Sequence, residues 1–295
     1  MVTVDVVVAT RNRADLTQEA VRSVQAQTWA DWHLWLVDDG SDDGSADVLS
    51  GALAGDARVT LLRQEWRGPE AARQLGLEAG SAPWVALLDS DDLWLPRKLE
   101  RQLAVADGAD VVTCWHSWLR PDGTTRVVRR LHGSGRVPPL WTDNVSTPLV
   151  RRQTLAAAGG LGPQPGLPGL TTCEHIDLWV RLSAVARAAV VPEVLVHCRD
   201  HDGPRSSDPV STLRAARELD SVTTARRDIL AAWPRDHAEL LARTGARFVA
   251  AGARSEGYAR FARALRVAPG AEKVRLARRY ARFLGGSLRP TRGAA

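Results

Sequence analysis

Several residue types are scarce in this 295-residue chain, and each scarcity removes a class of protein. The three cysteines, Cys114, Cys173 and Cys198, are odd in number and scattered, so they spell neither a disulfide framework nor a zinc spacing. Apolar runs all fall short of the ~18 uncharged residues that a membrane-spanning helix requires. Lysine is nearly missing, with Lys98 and Lys273 the only two. No G-x-G-x-x-G follows the first apolar run and no G-x-x-x-x-G-K-[ST] occurs, so the dinucleotide and P-loop readings lack their phosphate cradle. The acidic run 38–44 lacks the closing Glu of a calcium loop, because the twelfth position counted from Asp39 is Ser50. The opening MVTVDVVVAT reads as a strand, not as a basic leader, which makes the cytoplasm the expected address.

What is present suits a globular α/β protein. Hydrophobic residues make up 44% and charged residues 25%, too apolar and too evenly spread for a disordered chain. Lys+Arg exceeds Asp+Glu by 39 to 34, and the excess is almost all arginine, which suits bidentate contact with phosphate. A coding preference for arginine explains the same excess, and no nucleic-acid motif accompanies it, so no nucleic-acid partner is expected.

Short apolar runs alternate with helical patterns over the first hundred residues, which predicts a mainly parallel twisted sheet flanked by helices. Strands are expected at Val6–Ala9 (reaching back to Val4), Leu34–Val37, Val59–Leu62 and Trp84–Leu88. Helices are expected after an Asn12 cap, at Ser45–Ala54, at Pro69–Ala79 with Gly80 as the stop, and at Pro96–Ala106. Residues 111–119 and 124–130 read as a hairpin around Pro121-Asp122-Gly123. The Gly- and Pro-rich stretch 133–169 is expected to be irregular. A helix near Asp177–Ala186 and a strand near Ala189–His197 follow. Residues 210–290 read as two helical stretches parted near Pro269-Gly270, a C-terminal helical extension.

Ligand sites of parallel sheets lie at the carboxyl ends of the strands. Three polar clusters fall there: Thr10-Arg11-Asn12, Asp38-Asp39, and Asp89-Ser90-Asp91-Asp92. Asp89 and Asp91, two apart, share a side if the segment stays extended, and hard divalent cations favour such oxygen ligands, often completed by substrate phosphate.

With these clusters in place, the chain resembles the family 2 glycosyltransferases of GT-A fold. The stretches that carry the likeness are 6–45, 67–102, EHIDLWVRL (174–182) and VLVHCRDHDGPRSS (194–207), so it covers roughly residues 2–207. The resemblance implies an inverting transfer of sugar from a nucleotide-diphosphate donor, a UDP-sugar foremost, with Mn²⁺ or Mg²⁺ as cofactor. It assigns Thr10, Arg11 and Asp38 to base and ribose, Arg73 to the nucleotide, Asp89 to ribose or metal, Asp91 to the metal, and His201 to a distal metal position. Where Arg11 stands, relatives often carry an aromatic that stacks on the base; a guanidinium plane can stack similarly. The motif that supplies the catalytic base reads Glu174-His175 here, and His175, Glu174 and Asp177 are the candidates. The resemblance also divides the chain into a catalytic domain, 1–207 (nucleotide-binding half 1–107, acceptor-side half 108–207), and an Arg-rich helical region, 208–295.

Two other readings stand beside this one: a non-catalytic nucleotide-sugar binder on the same fold, and a sugar nucleotidyltransferase, for which the Gly-rich loop after the first strand is missing. Trp115, Trp118 and Trp141 are candidates to stack on an unidentified acceptor. Residues 272–284 form an amphipathic basic pattern. Its alternative uses are an anionic membrane surface, which would make the protein peripheral at the inner face of the membrane, or packing on its own chain or in a homodimer.

Overall fold

The computed structural model describes residues 3–53, 55–129, 135–140, 144–167, 169–199 and 208–287. The chain divides into two compact units, Met1–Arg205 and Ser206–Ala295.

The first unit opens with strict alternation: β1 (Val4–Thr10), α1 (Ala14–Gln25), β2 (Trp32–Asp39), α2 (Ser45–Leu53), β3 (Val59–Gln64), α3 (Pro69–Ala79) and β4 (Trp84–Asp89). These strands pair in parallel in the order β3-β2-β1-β4. Val6 and Val8 of β1 pack with Leu34, Leu36 and the Val21 and Val24 of α1. Val7, one residue out of phase, packs on the other face with Leu77, Leu87 and Trp179. That period-two split is why β1 reads as continuously apolar: both of its faces are covered. Gly76 lets α3 lie close, since a Cβ there would stand 2.6 Å from a methyl of Val7.

The rest of the unit adds β5 (Leu93–Trp94), α4 (Lys98–Leu103), β6 (Val111–Leu119), β7 (Thr125–Val128), β8 (Gly135–Arg136), β9 (Leu149–Arg151), α5 (Arg152–Ala157), α6 (Glu174–Val185) and β10 (Arg187–Arg199). The sheet continues β4-β9-β6-β10-β5, with β9 antiparallel to both neighbours and β10 parallel to β6. The 111–119 hairpin forms, with β7 antiparallel to β6.

In the elements of this unit four expectations need correction. Asn12 does not cap α1: Arg13 occupies that position with no side-chain capping bond, while Asn12 sits at φ 54° and exchanges hydrogen bonds with Asp42. Helix α4 is only six residues long. The stretch 133–169 is not wholly irregular, because its Gly- and Pro-free segment LVRRQTLAA holds β9 and α5, and β9 lies mid-sheet. Helix α6 starts at Glu174, three residues before Asp177.

Among the described residues the second unit contains α7 (Pro209–Ala225), α8 (Arg227–Ala231), α9 (Pro234–Ala250), α10 (Arg254–Val267) and α11 (Gly270–Ser287), five helices where two stretches were expected. Pro234 opens α9 as its first residue, and Gly252, at φ 87°, turns the chain between α9 and α10. Leu276 of α11 is buried with Leu241 and Phe261. Arg275 pairs with Glu272 and Glu239, and Arg279 with Glu239, so part of the basic face of α11 is matched inside its own unit. Among the described residues no helix is long and apolar enough to cross a membrane.

Candidate active site

Parallel register brings three strand ends level, with Thr10 opposite Asp38 and Ala9 opposite Asp89. The loops that leave them, the start of α3 and the start of α6 enclose an open cleft of about 530 Å³. Thr10, Arg11, Arg13, Asp39, Trp66, Arg73, Asp89, Ser90, Asp91, Thr171 and Glu174 line it. The chain does not stay extended beyond β4: the Asp92 amide bonds back to the Asp89 carbonyl in a tight turn, yet Asp89 and Asp91 both reach the cleft.

Electrostatics are organised around one buried guanidinium. Arg73 donates to Asp89 at 2.8 Å and to Glu174 Oε1 at 3.1 Å, with only 11% of its side chain exposed. Burial alone would push Glu174 upward, but Arg73 and, more weakly, His175 outweigh it and hold the carboxyl below its ordinary value. Among the described residues Glu174 Oε2 has no hydrogen-bond partner. Asp91, nearly buried, accepts from Arg13 at 3.1 Å. Behind the cleft, burial and the charges of Asp89 and Asp91 push Asp92 up to about 7, while it accepts from Ser146 and the Arg199 amide. Glu70, in the first turn of α3, accepts from the Leu170 amide, and burial raises it to about 7.

Of the residues singled out from sequence, Thr10, Arg11, Arg73, Asp89, Asp91 and Glu174 meet in the cleft. Asp38 does not line it; its carboxylate folds back onto the Ser41 hydroxyl and amide. Its neighbour Asp39 lines the cleft instead and accepts from Gln64 and from the amides of Arg67 and Gly68. His175 borders a small adjoining cavity with Leu161, Leu178 and Arg181. Asp177 is wholly buried and paired with Arg181 at 2.7 Å. His201 and Trp141 lie outside the described residues. Trp115 and Trp118 do not line the cleft: Arg129 lies over the Trp115 ring, and Trp118 packs on the core. Sequence reasoning missed Arg13, Trp66 and Thr171, and it placed Asp39 in a strand-end cluster without giving it a role. Strand alternation could have flagged that Asp38 and Asp39 face opposite ways, but not which faces the ligand.

Among the described residues no group of three or more His, Cys, Asp or Glu gathers into a metal cage. Asp89 and Asp91 nonetheless offer hard carboxylate oxygens at one lip, a donor set that fits a Mg²⁺- or Mn²⁺-type ion completed by substrate oxygens.

Comparison with known proteins agrees with this architecture. The profile of glycosyl transferase family 2 matches residues 5–155, just over half of the chain. An uncharacterized glycosyltransferase of Nostoc sp. is 34% identical over 148 residues, 50% of this chain and 45% of that protein. The UDP-Glc:alpha-D-GlcNAc-diphosphoundecaprenol beta-1,3-glucosyltransferase WfgD of Escherichia coli is 35% identical over 104 residues, 35% of this chain and 40% of its own. The chain spans less than half the length of these curated relatives. In fold it is similar to S. aureus TarS, solved in complex with UDP-GlcNAc, with a TM-score of 0.64 at 16% identity over 88% of this chain and 89% of that one. It is also similar to the mannosyltransferase PcManGT from Pyrobaculum calidifontis, solved with GDP-Man and Mn²⁺, with a TM-score of 0.60 at 20% identity over 95% and 80% of the two chains. These likenesses give the GT-A fold. The family match runs through every strand end that builds the cleft, and on that evidence the chain belongs to glycosyl transferase family 2.

Proposed function

We propose that the chain moves a sugar from a nucleotide-diphosphate donor, a UDP-sugar first among the candidates, to an acceptor hydroxyl, with inversion at the anomeric carbon. The observation that carries this is the convergence of Asp89, Asp91, Arg73 and Glu174 on one cleft at the strand ends. Residues 1–107 would hold the nucleotide, and 108–207 would supply the acceptor side. Asp91, with Asp89, would hold a divalent cation together with the donor diphosphate; such an ion neutralises charge on a departing diphosphate. Arg11 and Arg13, each about two-fifths exposed at the mouth, supply guanidinium donors for phosphate oxygens. Arg73 spans Asp89 and Glu174 and so sets the spacing between donor and acceptor sides.

For the base we favour Glu174 over His175 and Asp177. It is the one of the three that borders the main cleft, and one of its oxygens has no hydrogen-bond partner among the described residues. Held ionised by Arg73, it can accept the proton of an attacking hydroxyl.

The test is incubation of the full chain with radiolabelled nucleotide sugars, Mn²⁺ and candidate glycan or lipid-linked acceptors. Nucleotide release matched by labelled product supports the proposal. Tight nucleotide-sugar binding with no release across the panel would support the non-catalytic binder.

A further inference from the structure

The cleft holds one feature that sugar transfer does not by itself require: an indole left standing in solvent. Trp66 is 61% exposed, although the other described tryptophans of this unit are buried or partly buried. A lone exposed apolar side chain is ordinary on a protein surface. This one differs in how firmly its backbone is held. The amides of Arg67 and Gly68, the next two residues, both donate to the Asp39 carboxylate at 2.9 Å. On the other side Gly40 passes so close that a Cβ would stand 2.6 Å from the Trp66 amide nitrogen, and its φ of +70° favours glycine. The loop is thus clamped from β2 while its largest side chain is left bare toward the cleft.

The second partner is Arg11. Its guanidinium lies 5.3 Å from the centre of the Trp66 ring, and its Nε donates to the Gly40 carbonyl. An indole face and a guanidinium plane brought together at the lip of a nucleotide cleft are both surfaces on which a flat aromatic ring stacks. A rigid backbone lowers the ordering cost of such a contact.

We propose that Trp66 is the stacking platform for the base of the donor nucleotide, with Arg11 beside it. The aromatic contact is supplied from the β3–α3 loop, whereas the end of β1 carries an arginine. The inference rests on the nucleotide-donor reading and adds to it the residue that recognises the base. Stacking is tolerant of base identity, because every base offers a π-face, so Trp66 contributes affinity for the nucleoside and leaves the choice among bases to edge contacts.

The experiment compares UDP, GDP and inorganic pyrophosphate, each with Mn²⁺, by calorimetric titration of the full chain and its Trp66→Ala and Trp66→Phe variants. Thermal melts confirm that removing an exposed side chain leaves the fold unchanged. Trp66→Ala should weaken the tightest-binding nucleoside diphosphate by about tenfold or more, equivalent to ~1.4 kcal/mol. Pyrophosphate, which has no base, should bind both proteins alike, and Trp66→Phe should restore most of the loss. Equal nucleotide affinity in wild type and Trp66→Ala would overturn the proposal while leaving the donor reading intact, as would a parallel loss of pyrophosphate. A wild-type protein that binds neither nucleotide would overturn the donor reading, and the Trp66 proposal with it.

Discussion

Arg73 offers the most direct test of the site's electrostatics, through the variant Arg73→Met, which keeps a long side chain but removes the charge. In the wild type the guanidinium is buried and bonded to both Asp89 and Glu174. Removing it leaves Asp89 and the largely buried Glu174 without their shared countercharge. Breaking a buried pair by deleting one partner typically costs 3–5 kcal/mol, so a loss of about 3 kcal/mol at neutral pH is expected. For a unit of this size that corresponds to a fall in melting temperature of roughly 6–12 °C.

The pH dependence separates this cause from simple loss of packing. Glu174 in the wild type lies below its ordinary 4.5, so the stability it contributes is present above that value and is lost as pH falls through its folded pKa. In Arg73→Met burial, the largest influence on this group, loses its main opponent, and the folded pKa moves above 4.5. A carboxyl raised in that way costs stability as pH climbs, and costs nothing once it is protonated in both states. The gap between the two proteins, measured by urea denaturation, should therefore be narrow near pH ~4 and widest by pH ~7. A gap of constant size across that range would show that the guanidinium acts through its volume, and the electrostatic account of Arg73 would be abandoned.

Three further outcomes follow from the same geometry. Asp91→Asn should abolish the Mn²⁺-dependent part of nucleotide binding and leave the metal-independent part, as read by titration with and without EDTA; unchanged Mn²⁺ dependence would remove Asp91 from the metal site. Glu174→Gln should lower turnover by roughly 10²- to 10⁴-fold while nucleotide affinity holds, whereas His175→Ala should remain active. An acidic limb of kcat/KM near 6.5, together with an inactive His175→Ala, would hand the base to His175. Burial lowers Lys98 to about 8 from 10.5, so the folded state holds fewer protons than the unfolded state across that interval. Wild type should accordingly gain stability relative to Lys98→Met between those two pH values, and equal slopes in urea denaturation would count against a buried titrating ammonium.

The parallel half of the sheet was legible in the sequence because β1 through β4 are short apolar runs, each ending in polar residues. That pattern sets strand direction, and direction puts the polar ends on one edge. What stayed illegible depended on single-residue choices. Asp38 and Asp39 alternate across the sheet, and only the finished fold decides that Asp39 looks into the cleft while Asp38 bonds to Ser41. The choice between Glu174 and His175 hung on where α6 begins, and the cap position holds Cys173, not one of the Ser, Thr, Asp or Asn residues that mark a helix start in a sequence. Strand β9 was hidden by its neighbours: three residues long, inside a stretch full of glycine and proline, it finds its place only by pairing with β4 and β6, both distant in sequence.

The two lysines sharpen the reading of a chain that otherwise uses arginine. A coding preference would have replaced Lys98 as well, yet this lysine is fully buried, with its ammonium 4.0 Å from the centre of the Trp94 ring and bonded to Gln102 at 2.7 Å. A planar guanidinium is larger and presents five donors, too many for a pocket that offers one amide oxygen and an indole face. The demand for that shape runs on toward the cleft. Gln102 spends its amide hydrogens on the carbonyls of Val112 and Thr147, which ties α4 to β6 and to the 144–147 segment. In the same segment Ser146 takes the Trp94 indole on its carbonyl, while its hydroxyl accepts from the Asp89 amide and donates to Asp92. The acidic turn is thus held from beneath by a chain of buried polar contacts that begins at Lys98. Because each member satisfies the next, loosening any one leaves a buried donor or acceptor unpaired. The carboxylates of Asp89 and Asp91 thereby gain a fixed base, although neither touches the lysine that anchors it.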